Sequence, residues 1–154
     1  MPATKNSHRT RPGIAKTNAK ARVLLVEDNT AFRVLMADVL AREGCNVTEA
    51  FDATSMRWQM HIKALENFPN EPFDLIITDV QMPGESGLAS LEWLRRKGCP
   101  IPAIVVTSFP ELATKAVVNR LAATLLPKPF SLSEFREVAV DALHATGGSL
   151  RSSE

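Results

Sequence analysis

Several polar side chains in the sequence stand at the ends of short apolar runs, and their types suit the chemistry of phosphoryl groups. They are Glu27, Asp28, Asp79, Thr107 and Lys128. Carboxylates held close together repel one another, and their pKa values rise unless a cation compensates. Mg²⁺ is a hard cation that takes carboxylate and phosphate oxygens as ligands. With such an ion present, Asp79 could attack a phosphoryl group as a nucleophile, while Lys128 and Thr107 spread the charge of the phosphoryl oxygens.

Each of these residues also has a plainer interpretation when it is taken alone. An Asp after an apolar strand, such as Asp79, is often a turn residue or a helix N-cap. A Thr in the position of Thr107 often hydrogen-bonds to the backbone, and a Lys such as Lys128 is usually a solvated charge. The hypothesis of a site therefore depends on elements that bring these residues together.

The apolar runs predict those elements, because a strand without polar alternation must be covered on both faces, as in a parallel sheet. Five strands alternating with five helices predict an α/β fold, a doubly wound five-stranded parallel sheet flanked by five helices. In such a sheet, functional groups meet at the carboxyl ends of the strands. The predicted strands are Val23–Val26, Cys45–Ala50, Phe73–Thr78, Ile101–Val106 and Thr124–Leu126. The first predicted helix starts at Asn29 and ends at Gly44. The next three span Asp52–Phe68, Leu88–Lys97 and Leu112–Leu121, and the last one starts at Ser131.

Two of the helices carry more detailed predictions. In the second helix, Trp58, Ile62 and Leu65 follow helical spacing and are predicted to face the core. In the last helix, Ser131 and Glu134 have the spacing of a capping box.

The length of 154 residues, with 45% hydrophobic and 23% charged residues, predicts one globular domain with short extensions. We expect a disordered basic leader over 1–20, a domain over 21–145 and a flexible tail over 146–154. The leader lacks aromatic residues to stack on bases, so nucleic acid is not an expected partner. No apolar run is long enough to cross a membrane, and no secretory signal is present, so we expect a cytoplasmic protein. Two cysteines without CxxC spacing predict neither a disulfide framework nor a zinc site.

Four fragments of the sequence, in order, resemble the receiver domain of bacterial two-component response regulators. They are Leu25-Val26-Glu27-Asp28-Asn29, Asp79-Val80-Gln81-Met82-Pro83-Gly84, Thr107-Ser108 and Lys128-Pro129-Phe130. Each fragment alone is weak, but each stands at the end of a predicted strand. The resemblance covers about residues 21–145 and implies the flavodoxin-like receiver fold.

The resemblance also implies a role for each matching position. Asp79 would accept a phosphoryl group from a histidine kinase or a phosphotransfer protein. Glu27 and Asp28 would bind Mg²⁺ together with Asp79 and the backbone carbonyl of Gln81.

Two further positions follow from the same resemblance. Thr107 would contact the phosphoryl group, and Lys128 would pair first with Asp79 and then with the phosphate. The family's Lys-Pro bond is typically cis, which implies the same for Lys128-Pro129.

The function implied is that of a single-domain signalling switch, with phosphoacceptor and autodephosphorylation chemistry but no metabolic activity. Phosphorylation would change the binding of a downstream protein partner, and the last two helices would be the surface for a homodimer. The alternative is a phosphate-independent interaction module with a vestigial acidic pocket. A phosphatase of the haloacid dehalogenase type would need an acid where Gln81 stands.

Three features depart from the resemblance or modify it. Leu125 stands where the family usually has Tyr or Phe on the fifth strand, which leaves the path of the signal open. The segment Asp52–Pro72 is about two helical turns longer than is usual in the family. Three interpretations stay open for it: an extended helix, a partner-specific loop or solvated filler. Phe109, two residues after Thr107, is predicted to shield the phosphate from water.

Overall fold

The computed structural model describes residues 20–152, without the side chains of 112–114 and 146–152, and confirms the predicted α/β fold. Five parallel strands form one sheet in the order β2-β1-β3-β4-β5, with five helices. The strands are β1 Arg22–Val26, β2 Asn46–Ala50, β3 Leu75–Asp79, β4 Ala103–Thr107 and β5 Thr124–Pro127. The helices are α1 Thr30–Arg42, α2 Ala53–Asn67, α3 Gly87–Arg96, α4 Leu112–Arg120 and α5 Leu132–Ser152.

The sheet separates two hydrophobic clusters, as a doubly wound fold requires. Residues of β1, β3 and β4 alternate between the clusters, and every residue of β3 and β4 is buried. One cluster includes α1 and α5 residues, with Phe135 fully buried at its centre. The other includes residues of α2, α3 and α4, with Leu91 fully buried. Burial on both faces explains why the core of β1, β3 and β4 could be recognised as apolar runs.

The helix caps follow the sequence signals. The side chain of Asn29 accepts a hydrogen bond from Phe32 N and caps α1, as its position predicts. Asp52 and Ser55 form a complete capping box at the start of α2. At α5, the Ser131 hydroxyl oxygen accepts a hydrogen bond from Glu134 N, which is one half of the predicted capping box.

The predicted inner stripe of α2 is wrong. Trp58 is 61% exposed and Leu65 is 70% exposed, whereas the buried residues of the helix are Ala53 and Met56. The helix has apolar residues on two sides, and the side with the smaller and more flexible residues packs on the sheet. Ile62 lies between the two sides and is half-buried.

Two of the predicted segments, the basic leader and the flexible tail, lie at the ends of the chain. The predicted basic leader lies outside the described residues, apart from Lys20. α5 continues to Ser152, so its backbone is helical through most of the segment predicted as a flexible tail. Gly147 and Gly148 each cost about 1 kcal/mol of helix propensity, but they do not prevent helical backbone.

Arg95, near the end of α3, joins three segments through backbone carbonyls. Its Nε donates to Leu121 O at 3.0 Å, and its Nη1 donates to Cys99 O at 2.9 Å and Ile101 O at 2.7 Å. Burial lowers the pKa of this guanidinium below its usual value. The three carbonyl oxygens accept hydrogen bonds from this half-buried cation and fix the loops that lead into β4 and β5.

Candidate functional site

The strand register brings four of the predicted residues to one edge of the sheet. The register pairs Val26 with Thr78, Asp79 with Val106, and Thr107 with Pro127. Glu27 and Lys128 each follow one of these paired residues, so both reach the same edge as Asp79 and Thr107. The predicted convergence at the carboxyl ends of the strands is therefore present in the structure.

Lys128 bridges two buried carboxylates at this edge. Its Nζ lies 2.7 Å from Asp79 Oδ2 and 3.4 Å from Glu27 Oε2. Burial alone would lower the pKa of Lys128, but the hydrogen bond and the charge of Asp79, together with Glu27, outweigh burial and raise it. Lys128 is therefore a fixed cation, and the interpretation of a solvated surface charge does not hold.

Glu27 holds the most perturbed carboxyl group of the site. The side chain is 1% exposed, and its pKa is raised from 4.5 to about 7, first by burial and then by the neighbouring Asp79 carboxylate. The Asn29 N–H, which donates to Glu27 Oε1 at 3.2 Å, and the Lys128 charge act in the opposite direction. One lysine therefore does not fully compensate two buried acids.

A divalent cation fits this excess of negative charge. Glu27, Asp28 and Asp79 each offer a carboxylate oxygen, and these three atoms lie within 4.8 Å of one another. Asp28 is exposed, which leaves a side of the cluster open to water. A set of oxygen ligands with partial access to solvent suits Mg²⁺, which usually retains several waters.

Gln81 is held next to the cluster through its backbone. Gln81 N donates to Asp79 Oδ1 at 2.9 Å, so both oxygens of the Asp79 carboxylate have donors, one from Gln81 and one from Lys128. This hydrogen bond fixes the first turn of the loop after β3. Metal binding by the Gln81 carbonyl stays a prediction.

Thr107 lies on the same edge and is 1% exposed. Its hydroxyl oxygen accepts a hydrogen bond from Phe109 N at 3.0 Å, and its carbonyl accepts one from Lys128 N at 2.6 Å. The hydroxyl hydrogen remains available to donate. Thr107 and Phe109 line a small cavity with Val80 and Gln81. Shielding of the phosphate by Phe109 stays a prediction.

Two residues of the site were not identified from the sequence. The ring of Phe32, in α1, lies 4.8 Å from Lys128 Nζ, in the range of a cation–π interaction. Phe32 also contacts Phe130 at 5.5 Å between ring centroids, and Phe130 stacks on Phe135 of α5 at 5.8 Å. The spacing of α1 marked Phe32 only as an apolar residue, and nothing in the sequence pairs it with Lys128.

Gly87, the first residue of α3, is the second residue that the sequence did not reveal. A Cβ atom on Gly87 would lie 2.0 Å from the Asp79 carbonyl oxygen and 2.6 Å from Thr78 Oγ1. α3 can therefore begin directly against the end of β3 only because this residue lacks a side chain. The bond Lys128-Pro129 is cis, as the resemblance implies.

Comparison with known proteins agrees with this geometry. A model of the response regulator receiver domain matches residues 23–140. The transcriptional activator protein PfeR of Pseudomonas aeruginosa is 35% identical over 122 residues, which are 79% of this chain and 37% of PfeR. The transcriptional regulatory protein TctD of Salmonella typhimurium is 31% identical over 114 residues, which are 73% of this chain and 47% of TctD. The chain thus spans less than half the length of these two relatives.

A solved structure shows the same fold. It is a CheY-like response regulator receiver domain protein from Methanospirillum hungatei, 23% identical, with a TM-score of 0.74. The match covers 85% of this chain and 99% of that structure.

Proposed function

The chain belongs to the response regulator receiver domain family, and from this premise we propose that it is a signalling switch phosphorylated on Asp79. The observation that carries the proposal is the position of Lys128, whose Nζ lies 2.7 Å from the buried Asp79 carboxylate inside an acidic cluster. Asp79 is 6% exposed, so it keeps access to a donor only along the open side of the site.

The proposed reaction is a phosphoryl transfer from a phosphohistidine of a histidine kinase or phosphotransfer protein. A carboxylate oxygen of Asp79 forms the new bond to phosphorus as the bond between phosphorus and the histidine nitrogen breaks. The Lys128 ammonium and the Thr107 hydroxyl donate hydrogen bonds to the phosphoryl oxygens, which carry the developing charge. When bound, Mg²⁺ supplies further charge stabilisation, held by Glu27, Asp28 and Asp79 together with the Gln81 carbonyl.

Receiver domains act as signalling switches, and we propose that the chemistry of this chain is limited to phosphate acceptance and autodephosphorylation. Phosphorylation would change the binding of a downstream protein partner. We further propose that residues 21–145 form the receiver domain and that it acts in the cytoplasm. In the described part of the chain, no helix is both long and apolar enough to cross a membrane. A homodimer through α4 and α5 stays a prediction.

A phosphate-independent interaction module is the alternative, and one observation favours it. Leu125 of β5 is half-buried and packs with the cluster that includes α3 and α4. Leu125 has no aromatic ring, so it cannot report phosphorylation through a turning ring. The charge arrangement around Asp79 favours the phosphorylated switch instead, since an interaction module has no need of a lysine held between two buried acids.

The experiment is incubation with acetyl phosphate and Mg²⁺, followed by measurement of the intact mass. We expect one phosphoryl adduct on the wild-type protein and none on Asp79→Asn. Asp38→Asn, which changes an exposed Asp of α1 in the same way, should gain the adduct like the wild type. Absence of an adduct with any small phosphodonor, together with absence of Mg²⁺ binding, would support the interaction module.

A further inference from the structure

The exposed apolar side chains of the described residues concentrate around α2. Trp58 and Leu65 lie on the helix, Phe51 just before it and Phe68 at its end, and these four side chains are between 57% and 84% exposed. The other large exposed apolar side chains are Val34, Leu35, Phe109 and Leu132, which are spread over three other segments. We call the surface of Phe51, Thr54, Trp58, His61, Leu65 and Phe68 the α2 stripe.

The spacing of the α2 stripe is that of a helix–helix contact. Successive members are separated by three, four, three, four and three residues, which keeps the helical members on one side of α2. Phe51, Thr54, Trp58 and His61 line one depression in the surface. The Trp58 and His61 rings lie 6.4 Å apart between centroids. The core-facing residues Ala53 and Met56 lie on the opposite side, so the stripe takes no part in holding α2 on the sheet.

The exposed area is large enough for a weak interface. A whole aromatic side chain has about 150–250 Å² of surface, so the four exposed side chains present on the order of 500 Å² per chain at their exposed fractions. An apolar patch of about 300–600 Å² on a monomer is often functional. Two such patches together bury about 1,000 Å², which is the lower limit for a specific interface.

The charged side chains that line the depression with the stripe already have partners within the chain. Arg57 Nη2 lies 2.6 Å from Glu85 Oε2, and Asp52 Oδ1 accepts a hydrogen bond from Ser55 N at 2.7 Å. A surface of this kind does not repel a copy of itself, whereas it offers little to a partner that is recognised by charge.

We propose that the α2 stripe binds the α2 stripe of a second copy of the chain, with the two helices antiparallel about a two-fold axis. In the antiparallel arrangement, each residue of the stripe faces a different residue of the stripe on the other copy. Trp58 then packs against His61 of the other copy, Thr54 against Leu65, and Phe51 against Phe68. The Trp58–His61 and Thr54–Leu65 layers each pair a large side chain with a smaller one. The Phe51–Phe68 layers at the two ends of the contact each pair two phenyl rings. Pairs of this kind allow the side chains of the two helices to interdigitate.

The first test is sedimentation velocity of the full chain over a range of concentrations, with variants of two surfaces. We expect a concentration-dependent dimer for the wild type, and Leu65→Lys should weaken its dissociation constant by about tenfold or more because each dimer would bury two lysines. Leu132→Lys, at the start of α5, is the matched control and should dimerise like the wild type. A wild-type protein that stays monomeric at millimolar concentration would overturn the proposal, and so would a dimer that only Leu132→Lys disrupts.

The second test examines the antiparallel register. Thr54→Glu and Leu65→Lys should each dimerise poorly alone. A mixture of the two should form a heterodimer. The register places the introduced carboxylate of one variant against the introduced ammonium of the other. The other Thr54–Leu65 contact of the dimer then keeps its native residues. Failure of the mixture to associate, while the wild type does, would contradict the register and with it the proposal. Both variants should accept phosphate from acetyl phosphate at the wild-type rate, which shows that they are folded and separates this proposal from that for Asp79.

Discussion

Replacing Asp79 by Asn should change the stability of the metal-free protein more favourably at pH 8 than at pH 5, although it removes an ion pair at both pH values. The reason lies with Glu27, whose pKa is raised from 4.5 to about 7. Ionising this side chain therefore costs about 3 kcal/mol more in the folded protein than in the unfolded chain. The stabilising contribution of Glu27 is present below about pH 4.5 and is lost as the pH rises through about 7.

Burial is the main cause of this raised pKa, and the Asp79 carboxylate is the second cause. Asp79→Asn removes the second cause only, and Lys128 keeps Glu27 as a partner at 3.4 Å. If the pKa of Glu27 falls by about one unit, the variant gains about 1.4 kcal/mol relative to the wild type between pH 5 and pH 8. At pH 5 the wild type should be the more stable of the two, since Glu27 is then largely protonated and the Lys128–Asp79 pair dominates.

The assay is urea unfolding, followed by tryptophan fluorescence at pH 5 and pH 8 with EDTA present. Asp38→Asn is the control, because its exposed pair with Arg42 should contribute less than about 1 kcal/mol at either pH. A difference between Asp79→Asn and the wild type that is the same at both pH values would refute the reasoning. Added Mg²⁺ at pH 8 should stabilise the wild type more than the variant, since the variant lacks one carboxylate ligand.

Three further predictions concern single residues around the site. Lys128→Met should slow phosphorylation by acetyl phosphate by about a hundredfold or more, measured by intact mass over time, because it removes a fixed donor to the phosphoryl oxygens; an unchanged rate would contradict that function. Phe109→Ala should lose its phosphate severalfold faster than the wild type, measured by the decay of the adduct after removal of the donor, and an unchanged lifetime would exclude shielding by the ring. Gly87→Ala should lower the free energy of unfolding, measured by urea unfolding, by more than about 2 kcal/mol, because its Cβ would overlap the Asp79 carbonyl. Gly44→Ala is the control. Its Cβ would meet no neighbouring atom, so it should cost about 1 kcal/mol through its positive φ alone.

The strands and the residues at their ends could be predicted from the sequence because both signals are local. β3 and β4 are buried along their whole length, and the residues that precede their polar ends are all apolar. The polar residue that follows such a run, as Asp79 ends β3, is conspicuous. Parallel topology then places all carboxyl ends at one edge without further information.

The orientation of α2 could not be predicted, since its sequence offers two apolar sides. Trp58 and Leu65 are larger and more apolar than Ala53, and periodicity alone favours the side with more apolar surface. Which side faces the sheet depends on the space between α2 and the sheet, and that space accepts Ala53 and Met56. The same limit applies to Phe32 and Gly87, whose importance arises from distances to residues in other elements of the fold.

The three carbonyls held by Arg95 have a consequence for how this half of the domain opens. The loop that enters β4 and the loop that enters β5 share one guanidinium, so a displacement of Arg95 breaks the hydrogen bonds to both loops at once. Local openings at the two loops are therefore coupled. Amide protons around Ile101 and Leu121 should exchange with solvent as one cooperative unit. The exchange rate should be the rate at which α3 releases both loops together, which is rarer than the opening of a single free loop.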